Sequence, residues 1–366
     1  MRITSIEIYK ANIDLKERFK IAIMEVSTVQ SIFIKINTDE GLYGLGEANP
    51  SRVVTGEPQA TCLATAPDLA KLLIGQNPLE VENREKNLSS FLARNNAVRS
   101  AFDMALYDIL GKASGLPLYQ IFGGDNRSIE TDMTLFIAAP GEMAEKAAEL
   151  KNLGFKALKI KVGTTTDLDV RRVSEIRKAV GDEVSIRVDA NQGWSPQTAI
   201  TTLRLLEPMR IEYCEQPVAH WDWQGMKRIR QNIKIPIMAD ESLFDHHDAF
   251  RLAFHECCDY FNIKLSKSGG LHTAMKIDAV AEGAGITCMM GCRNETRLGL
   301  SAAAHLVASR PNILFTDLDG HVYHTEDPII GGAQYNVGEI CLPQTPGHGA
   351  DVDTTFLKRC EKITIE

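Results

Sequence analysis

Residues 157–191 read ALKIKVGTTTDLDVRRVSEIRKAVGDEVSIRVDAN and contain one complete folding unit. The stretch opens with alternating apolar residues and lysines, a period of two that is typical of a β-strand. Its middle, DLDVRRVSEIRKAV, spaces its apolar residues as an amphipathic helix does. Its end, SIRVDAN, alternates again. Two parallel strands need a long connection, usually a helix, so the stretch predicts a βαβ unit.

The same unit repeats along the middle of the chain. Eight strand-like runs alternate with helical runs, and they read TDMTLFI, ALKIKV, SIRVDAN, IEYCEQP, IPIMADES, YFNIKLS, ITCMMGC and ILFTDLDG. This repetition predicts an α/β protein with a (β/α)8-type barrel, a modified TIM barrel, over residues 126–320. An open doubly wound sheet is the alternative. It is disfavoured because no glycine-rich phosphate-binding motif follows any of the strands.

The first part of the chain, residues 1–125, lacks this alternation. Two strand-like runs come first, and the turn signal Asp39-Glu40-Gly41 folds the second of them into a hairpin. Helical runs follow. Strands followed by helices predict an α+β capping domain. We expect the C-terminal segment, about residues 321–366, to complete that domain.

The composition is that of a globular protein. The 366 residues are 44% hydrophobic and 24% charged, which excludes a disordered chain. A formal net charge of -8 makes nucleic acid an unexpected partner. No apolar run is long enough for a bilayer, and no signal-peptide core is present, so we expect a cytoplasmic protein without a membrane partner. The eight cysteines form no CxxC pair and are expected to be reduced.

Charged residues recur where successive predicted strands end. They are Lys161, Asp189, Glu215, Asp240 and Lys264, each one strand–helix unit after the last. Side chains alternate between the two faces of a strand, and the intervening apolar residues suit the face under the helices. The charges are therefore expected to point into the barrel. We expect all five at the mouth formed by the C-terminal strand ends, where barrel enzymes have their active sites.

Three carboxylates at neighbouring strand ends predict a metal site. Asp189, Glu215 and Asp240 offer hard oxygen ligands, which suit one Mg²⁺ per subunit. A divalent ion that holds a substrate carboxylate can stabilise an enediolate as the neighbouring proton leaves. Lys161 and Lys264, on opposite sides, could remove that proton from one face and return it to the other. The expected reaction is an epimerization by 1,1-proton transfer.

The eighth strand ends in DLDG, which places Asp317 and Asp319 on the same face. Two inward acids without a cationic partner in their motif invite a cationic ligand. The alternative is a capped loop or a supporting position near the metal.

Taken together, these motifs resemble the enolase superfamily, in its muconate-lactonizing subgroup. The resemblance covers nearly the whole chain and rests on KIK ending at Lys161, DAN from Asp189, CEQP around Glu215, ADES around Asp240 and IKLSKSGG around Lys264. It implies a capped barrel with the three carboxylates as metal ligands and the two lysines as the acid/base pair. The DxD at the end of the eighth strand is similar to that of the dipeptide epimerases in this subgroup, whose two carboxylates bind the substrate's α-ammonium.

The resemblance also implies residues around the substrate. Substrate contacts are implied for Thr134, Lys159, Asp317 and Asp319, with Asn191 and Glu295 in supporting positions. An acidic second residue needs a cation, and Arg293, Lys20 and Arg52 are available. We favour Arg293, since it follows the seventh strand and arginine can bind a carboxylate through two hydrogen bonds. The alternative is that Arg293 merely pairs with Glu295.

The hypothesis is a Mg²⁺-dependent epimerization of a dipeptide at the α-carbon of its second residue. L-Ala-D/L-Glu is the favoured substrate, which suits recycling of cell-wall peptides. The alternatives are a hydrophobic or cationic dipeptide, or a β-elimination enzyme of the superfamily such as o-succinylbenzoate synthase or an acid-sugar dehydratase, which leaves the DxD unexplained. A non-enzymatic binding protein would not need lysines on both sides of a metal. A homo-oligomer is compatible with the sequence.

Overall fold

The computed structural model describes all residues, 1–366. The N-terminal part forms an antiparallel sheet followed by helices. Its elements are β1 (Ile3–Ile21), β2 (Met24–Thr38), β3 (Tyr43–Ala48), α1 (Gln59–Leu73), α2 (Val81–Phe91), α3 (Asn96–Ser114), α4 (Leu118–Ile121) and β4 (Ile129–Glu130). The first two strands form a long hairpin whose pairing shifts register between Asp14 and Phe19. The irregularity sets the tip of the hairpin apart from the sheet below it.

Eight parallel strands with intervening helices form the barrel. They are β5 (Met133–Leu135), α5 (Pro140–Leu153), β6 (Ala157–Lys161), α6 (Thr166–Val180), β7 (Ser185–Asp189), α7 (Pro196–Leu206), β8 (Ile211–Glu215), α8 (Trp223–Arg230), β9 (Ile237–Ala239), α9 (His246–Phe254), β10 (Tyr260–Ile263), α10 (Leu265–Ser268), α11 (Leu271–Gly283), β11 (Thr287–Gly291), α12 (Arg297–Ser309) and β12 (Ile313–Asp317). Neighbours in sequence are neighbours in the sheet. The predicted fold class is confirmed.

The barrel is nearly closed. The strand ladder runs unbroken from β5 to β12, and contacts outside the ladder join its two ends. The Asp132 amide donates to the Thr316 carbonyl at 3.4 Å, and the Leu318 amide donates to Thr131 Oγ1 at 2.9 Å. The last strand is thereby held beside the first, which brings the DLDG motif next to Thr134.

The C-terminal segment returns to the N-terminal sheet. It contains β13 (Ile329–Gly331), β14 (Gln334–Asn336), β15 (Glu339–Cys341), β16 (Ala350–Val352), α13 (Thr354–Arg359) and β17 (Glu361–Ile365). The last strand pairs antiparallel with β1, so that Ile6 lies opposite Ile365. The two ends of the chain therefore share one sheet.

The apolar pattern of the sequence explains the core. Leu158, Ile160 and Val162 lie on one face of β6 and are fully buried, as the alternation requires. Ser195 caps α7 by accepting from the Thr198 amide, and Pro196 follows in the first turn, where no amide hydrogen is needed. Among the helices, none combines the length and the apolarity that a bilayer crossing demands.

Candidate active site

Strand register brings the predicted charges together. Lys161 on β6 lies directly opposite Asp189 on β7, and Asp189 lies opposite Glu215 on β8. Asp240 follows β9, and Lys264 follows β10. All five side chains are buried at the same end of the barrel. The two lysines come from strands that flank the three carboxylates, as the sequence predicted.

Close ion pairs link these residues. Lys161 Nζ lies 2.6 Å from Asp189 Oδ2, and Lys264 Nζ lies 2.8 Å from Asp240 Oδ2. Lys264 Nζ is also 3.8 Å from Glu215 Oε1. Each lysine is thus held by the carboxylate nearest to it, on its own side of the group.

Burial and neighbouring charges shift the pKa values of the three carboxylates in different directions. Burial opposes ionisation of Asp189, but Lys161 and Lys159 outweigh it and lower the pKa. Burial likewise opposes ionisation of Asp240, and the lysines beside it hold its pKa well below the usual range. Burial and the Asp189 charge instead raise the pKa of Glu215 to about 7. Glu215 is therefore the carboxylate whose negative charge the lysines compensate least.

The donor set fits a divalent cation. Three carboxylates from consecutive strands provide hard oxygen ligands, the type that Mg²⁺ prefers. Glu215 Oε2 is buried and has no hydrogen-bond partner, although Lys159 Nζ lies 2.8 Å away in an unfavourable direction. Lys159 supplies a positive charge beside this oxygen but no hydrogen bond, so the oxygen keeps a free position for a ligand. Asp189, Glu215 and Asp240 are therefore suited to hold Mg²⁺.

Lys159 lies beneath the cavity and does not reach its wall. Its ammonium is 2.7 Å from Asp317 Oδ2, 2.8 Å from Glu215 Oε2 and 3.2 Å from Asp189 Oδ2. Burial opposes its protonation, but the three carboxylates outweigh burial and raise the pKa of Lys159 well above its usual value. The ammonium therefore bridges the three carboxylates and offsets their mutual repulsion, and the substrate contact expected of Lys159 stays a prediction.

The two aspartates of DLDG converge beside Thr134. One ligand atom each from Cys292, Asp317 and Asp319 lies within 4.8 Å of the others. Burial opposes ionisation of Asp317, but Lys159 and Lys264 lower its pKa to about 2. Burial and the Asp317 charge raise the pKa of Asp319 to about 6. This pair of acids lacks a cation on the Asp319 side, as an ammonium site requires.

One cavity at the mouth joins these groups to the capping domain. Its lining includes Thr134, Lys161, Asn191, Asp240, Lys264, Arg293, Asp317 and Asp319 from the barrel, and Phe19, Ile21, Met24 and Val54 from the cap. Lys20 and Arg52, two of the three cations considered for an acidic side chain, are exposed and do not line this cavity. Of the three cations, Arg293 is the one that lines the cavity.

Arg293 does not form the ion pair with Glu295 that was the alternative to substrate binding. Glu295 Oε2 accepts a hydrogen bond from the Arg293 backbone amide at 2.6 Å, and the guanidinium forms no salt bridge with it. Its Nη1 atom is buried without a hydrogen-bond partner. The guanidinium is thus available to a ligand in the cavity.

Sequence reasoning missed several polar residues of the site. Lys267 Nζ lies 2.6 Å from Asp240 Oδ1, and Asn262 donates to Glu215 Oε1 at 2.7 Å. Glu241 lines the cavity, accepts from Asn191 at 3.2 Å and keeps Oε2 without a partner. Both Lys267 and Glu241 stand inside quoted motifs, IKLSKSGG and ADES, so their spacing from Lys264 and Asp240 was the available signal.

The sequence matches two family models that together span most of the chain. Residues 3–123 match the mandelate racemase / muconate lactonizing enzyme N-terminal domain, and residues 142–356 match the enolase C-terminal domain-like family. The chain therefore belongs to the mandelate racemase / muconate lactonizing enzyme group of the enolase superfamily.

Similar proteins within this group are named dipeptide epimerases. The chain is 40% identical to the L-Ala-D/L-Glu epimerase of Clostridium acetobutylicum, over 96% of this chain and 99% of the relative. It is 42% identical to the hydrophobic dipeptide epimerase of Enterococcus faecalis, over 91% and 94%. The crystal structure of a dipeptide epimerase from Cytophaga hutchinsonii, complexed with Mg and D-Ala-L-Val, has a TM-score of 0.98, at 41% identity and full coverage of both chains. Magnesium and dipeptide binding are thus confirmed within the family.

Proposed function

We propose that this protein is a Mg²⁺-dependent dipeptide epimerase that inverts the α-carbon of the second residue. The observation that carries the proposal is the placement of Lys161 and Lys264 on opposite flanks of three buried carboxylates. A binding protein needs the carboxylates but has no use for two ammonium groups facing one cavity. Proton removal on one face and delivery on the other is the chemistry that this pair supports.

Each lysine acts at the substrate's α-carbon. One takes the α-proton as a neutral amine, and the other, protonated, gives a proton to the opposite face, so the reverse reaction exchanges their roles. Bound Mg²⁺, held by Asp189, Glu215 and Asp240, would neutralise the negative charge that develops on the substrate carboxylate. The buried setting excludes water from these charges and strengthens their interactions.

The substrate's amino end belongs at Asp317 and Asp319. The two acids converge in the cavity wall, and only Asp317 has a lysine partner. An α-ammonium would supply the missing positive charge beside Asp319. This feature separates the proposal from β-elimination of an acid sugar, which carries no ammonium.

The second residue is proposed to be glutamate, as in L-Ala-D/L-Glu. Arg293 is the reason, since its guanidinium lines the cavity and has no carboxylate partner. Its buried Nη1 atom lacks a hydrogen-bond acceptor, and a substrate carboxylate would provide one. Such a substrate suits recycling of cell-wall peptides in the cytoplasm.

A hydrophobic dipeptide is the second candidate. Phe19, Ile21, Met24 and Val54 form an apolar wall on the cap side of the same cavity. An apolar second side chain would bury surface against that wall. This alternative differs from the first only in the group that the second side chain presents.

A screen of L,L-dipeptides in D₂O with Mg²⁺ tests both. We expect deuterium at the α-carbon of the second residue only, accompanied by the L,D product, with L-Ala-L-Glu turned over fastest. Fastest turnover of an L-Ala dipeptide with leucine or phenylalanine would favour the second candidate. No exchange with any dipeptide would contradict the proposed function.

A further inference from the structure

Tyr323 lies beside the proposed ammonium site, outside the motifs that sequence reasoning selected. It ends a short 3₁₀ turn, Gly320–Tyr323, that begins at the glycine of the DLDG motif. The side chain is buried, and its hydroxyl lies 2.8 Å from the Thr134 carbonyl oxygen and 3.3 Å from Asp319 Oδ2. A phenol has one hydrogen to donate, and the shorter distance assigns it to Thr134.

The peptide of Thr134 is consequently held at both ends. Its amide donates to Asp319 Oδ2 at 2.7 Å, while its carbonyl accepts from Tyr323. Oδ2 of Asp319 is thus engaged, and Oδ1 has only the Cys292 thiol, 3.8 Å away. This arrangement leaves the less occupied oxygen of Asp319, which lines the cavity, for a ligand.

The other face of Tyr323 belongs to an aromatic chain that reaches the cap. Its ring lies 4.6 Å from that of Phe136, which lies 4.6 Å from that of Phe19 on the hairpin tip. We define the hairpin tip as residues 14–24. Phe19 itself lines the cavity.

Backbone contacts reinforce the same junction. The Ile137 amide donates to the Lys20 carbonyl at 3.2 Å, and the Thr325 amide donates to the Asp14 carbonyl at 2.9 Å. Lys16 Nζ donates to the Val322 carbonyl at 2.9 Å. The hairpin tip is therefore bound to residues on both sides of Tyr323 and to the segment that follows Thr134.

We propose that Tyr323 is a positioning residue that couples docking of the hairpin tip to the orientation of Asp319. When the tip is docked, Phe136 supports the tyrosine ring, and the hydroxyl fixes the Thr134 peptide against which Asp319 is held. Ammonium recognition then depends on a closed cap. The inference rests on the proposed function for the identity of its ligand.

Tyr323→Phe removes the hydroxyl and keeps the ring contacts. We expect KM for L-Ala-L-Glu to rise about threefold to tenfold, as the loss of one buried hydrogen bond predicts, with kcat changed less than about twofold. N-acetyl-L-Ala-L-Glu, tested as a competitive inhibitor, should bind both proteins equally because it lacks the ammonium. Tyr335→Phe is the matched control, since the Tyr335 hydroxyl is buried and has no partner.

A readout that does not require turnover completes the test. In Phe136→Leu, amide hydrogen exchange should become faster in residues 14–24 and in residues 131–139. In Tyr323→Phe it should become faster in residues 131–139 only, and in Tyr335→Phe it should not change. The coupling would be contradicted if Tyr323→Phe weakened binding of the free dipeptide and of its N-acetyl derivative equally. It would also be contradicted if the exchange rates and KM of Tyr323→Phe matched those of Tyr335→Phe. A wild-type protein inert toward every dipeptide would contradict the proposed function instead, and the exchange data would still decide the coupling.

Discussion

Arg293 brings a charge into the cavity wall without an ion-pair partner, and this makes it the residue on which the choice of substrate depends. Arg293→Met keeps much of the side-chain length and removes the charge. We expect kcat/KM for L-Ala-L-Glu to fall about 30-fold or more, the effect of truncating one partner of a buried charge pair. Turnover of L-Ala-L-Leu should fall far less.

Steady-state kinetics on both dipeptides provides the measurement. Arg52→Met is the matched control, since Arg52 is exposed and lies outside the catalytic cavity. Equal losses on the two substrates would make Arg293 a structural residue and would leave the hydrophobic dipeptide as the better candidate.

Asp319 is expected to recognise the substrate's ammonium. Asp319→Asn retains an oxygen for the Thr134 amide and removes the charge. Loss of a charge pair in the buried site predicts a decrease of about 2–5 kcal/mol in transition-state stabilisation for a free dipeptide. Comparing kcat/KM for L-Ala-L-Glu and its N-acetyl derivative measures this. The ratio of kcat/KM for the free dipeptide to kcat/KM for its N-acetyl derivative should be smaller in the variant than in the wild type. An unchanged ratio would show that Asp319 does not bind the ammonium.

Individual residues differed in how well the sequence predicted them. Lys161, Asp189 and Glu215 were predictable because each ends a strand at a regular interval, and strand register places them side by side. Arg293 was predicted to face the site. Whether its guanidinium is paired depends on the orientation of Glu295, which accepts from the Arg293 backbone amide instead. Lys159 looked the same as Lys161 in sequence, and only the depth of its strand position separates the two roles.

At the level of elements, helix α12 carries a buried histidine that fixes the cap to the barrel. His305 Nδ1 accepts from the Tyr119 amide at 3.2 Å, which leaves Nε2 to donate to the His348 carbonyl at 3.3 Å. These bonds require the neutral ring. Burial accordingly lowers the pKa of His305 to about 3.

Protonation of His305 should therefore make the folded protein less stable in acid. The folded-state pKa lies below the unfolded value of about 6.5, so the contribution is complete above that pH and is lost as the pH falls toward 3. The free energy of unfolding should decrease by on the order of 3 kcal/mol between pH 6.5 and 4 from this residue alone. Denaturant titrations should show a shallower decrease in His305→Gln. The exposed His247→Gln is the control, and an identical pH slope in both variants would contradict the assignment.

Alternation and helical spacing predicted the elements of the barrel well, since each strand buries one face and each helix covers it. The segment 319–325 and the hairpin tip were not predictable in the same way. Their positions depend on contacts between parts of the chain some 300 residues apart, such as Lys16 with the Val322 carbonyl. Local sequence carries no periodic signal for such contacts, which is why Tyr323 and Phe19 were missed.

At the scale of the whole molecule, the cap covers a barrel mouth in which three buried carboxylates lie at neighbouring strand ends. Removing divalent ions with a chelator should abolish epimerization, and Mg²⁺ should restore it. The chelated protein should also unfold at a lower temperature than the Mg²⁺-loaded protein, since a cation bound only by the folded state stabilises it. Activity assays and thermal melts measure the two effects. Full activity in excess chelator would contradict the assignment of a catalytic metal.

The central claim is that two lysines work on opposite faces of one α-carbon, and exchange of the α-proton in D₂O tests it most directly. Lys161→Ala and Lys264→Ala are compared with Lys156→Ala, an exposed lysine just before the same strand as Lys161. In each active-site variant, the rate of epimerization should fall by at least about 10²-fold. Each variant should still exchange the α-proton of one epimer of the substrate with solvent, and the epimer that exchanges should differ between the two variants. The control should behave as wild type. Epimerization at the wild-type rate in either active-site variant would contradict the two-lysine account.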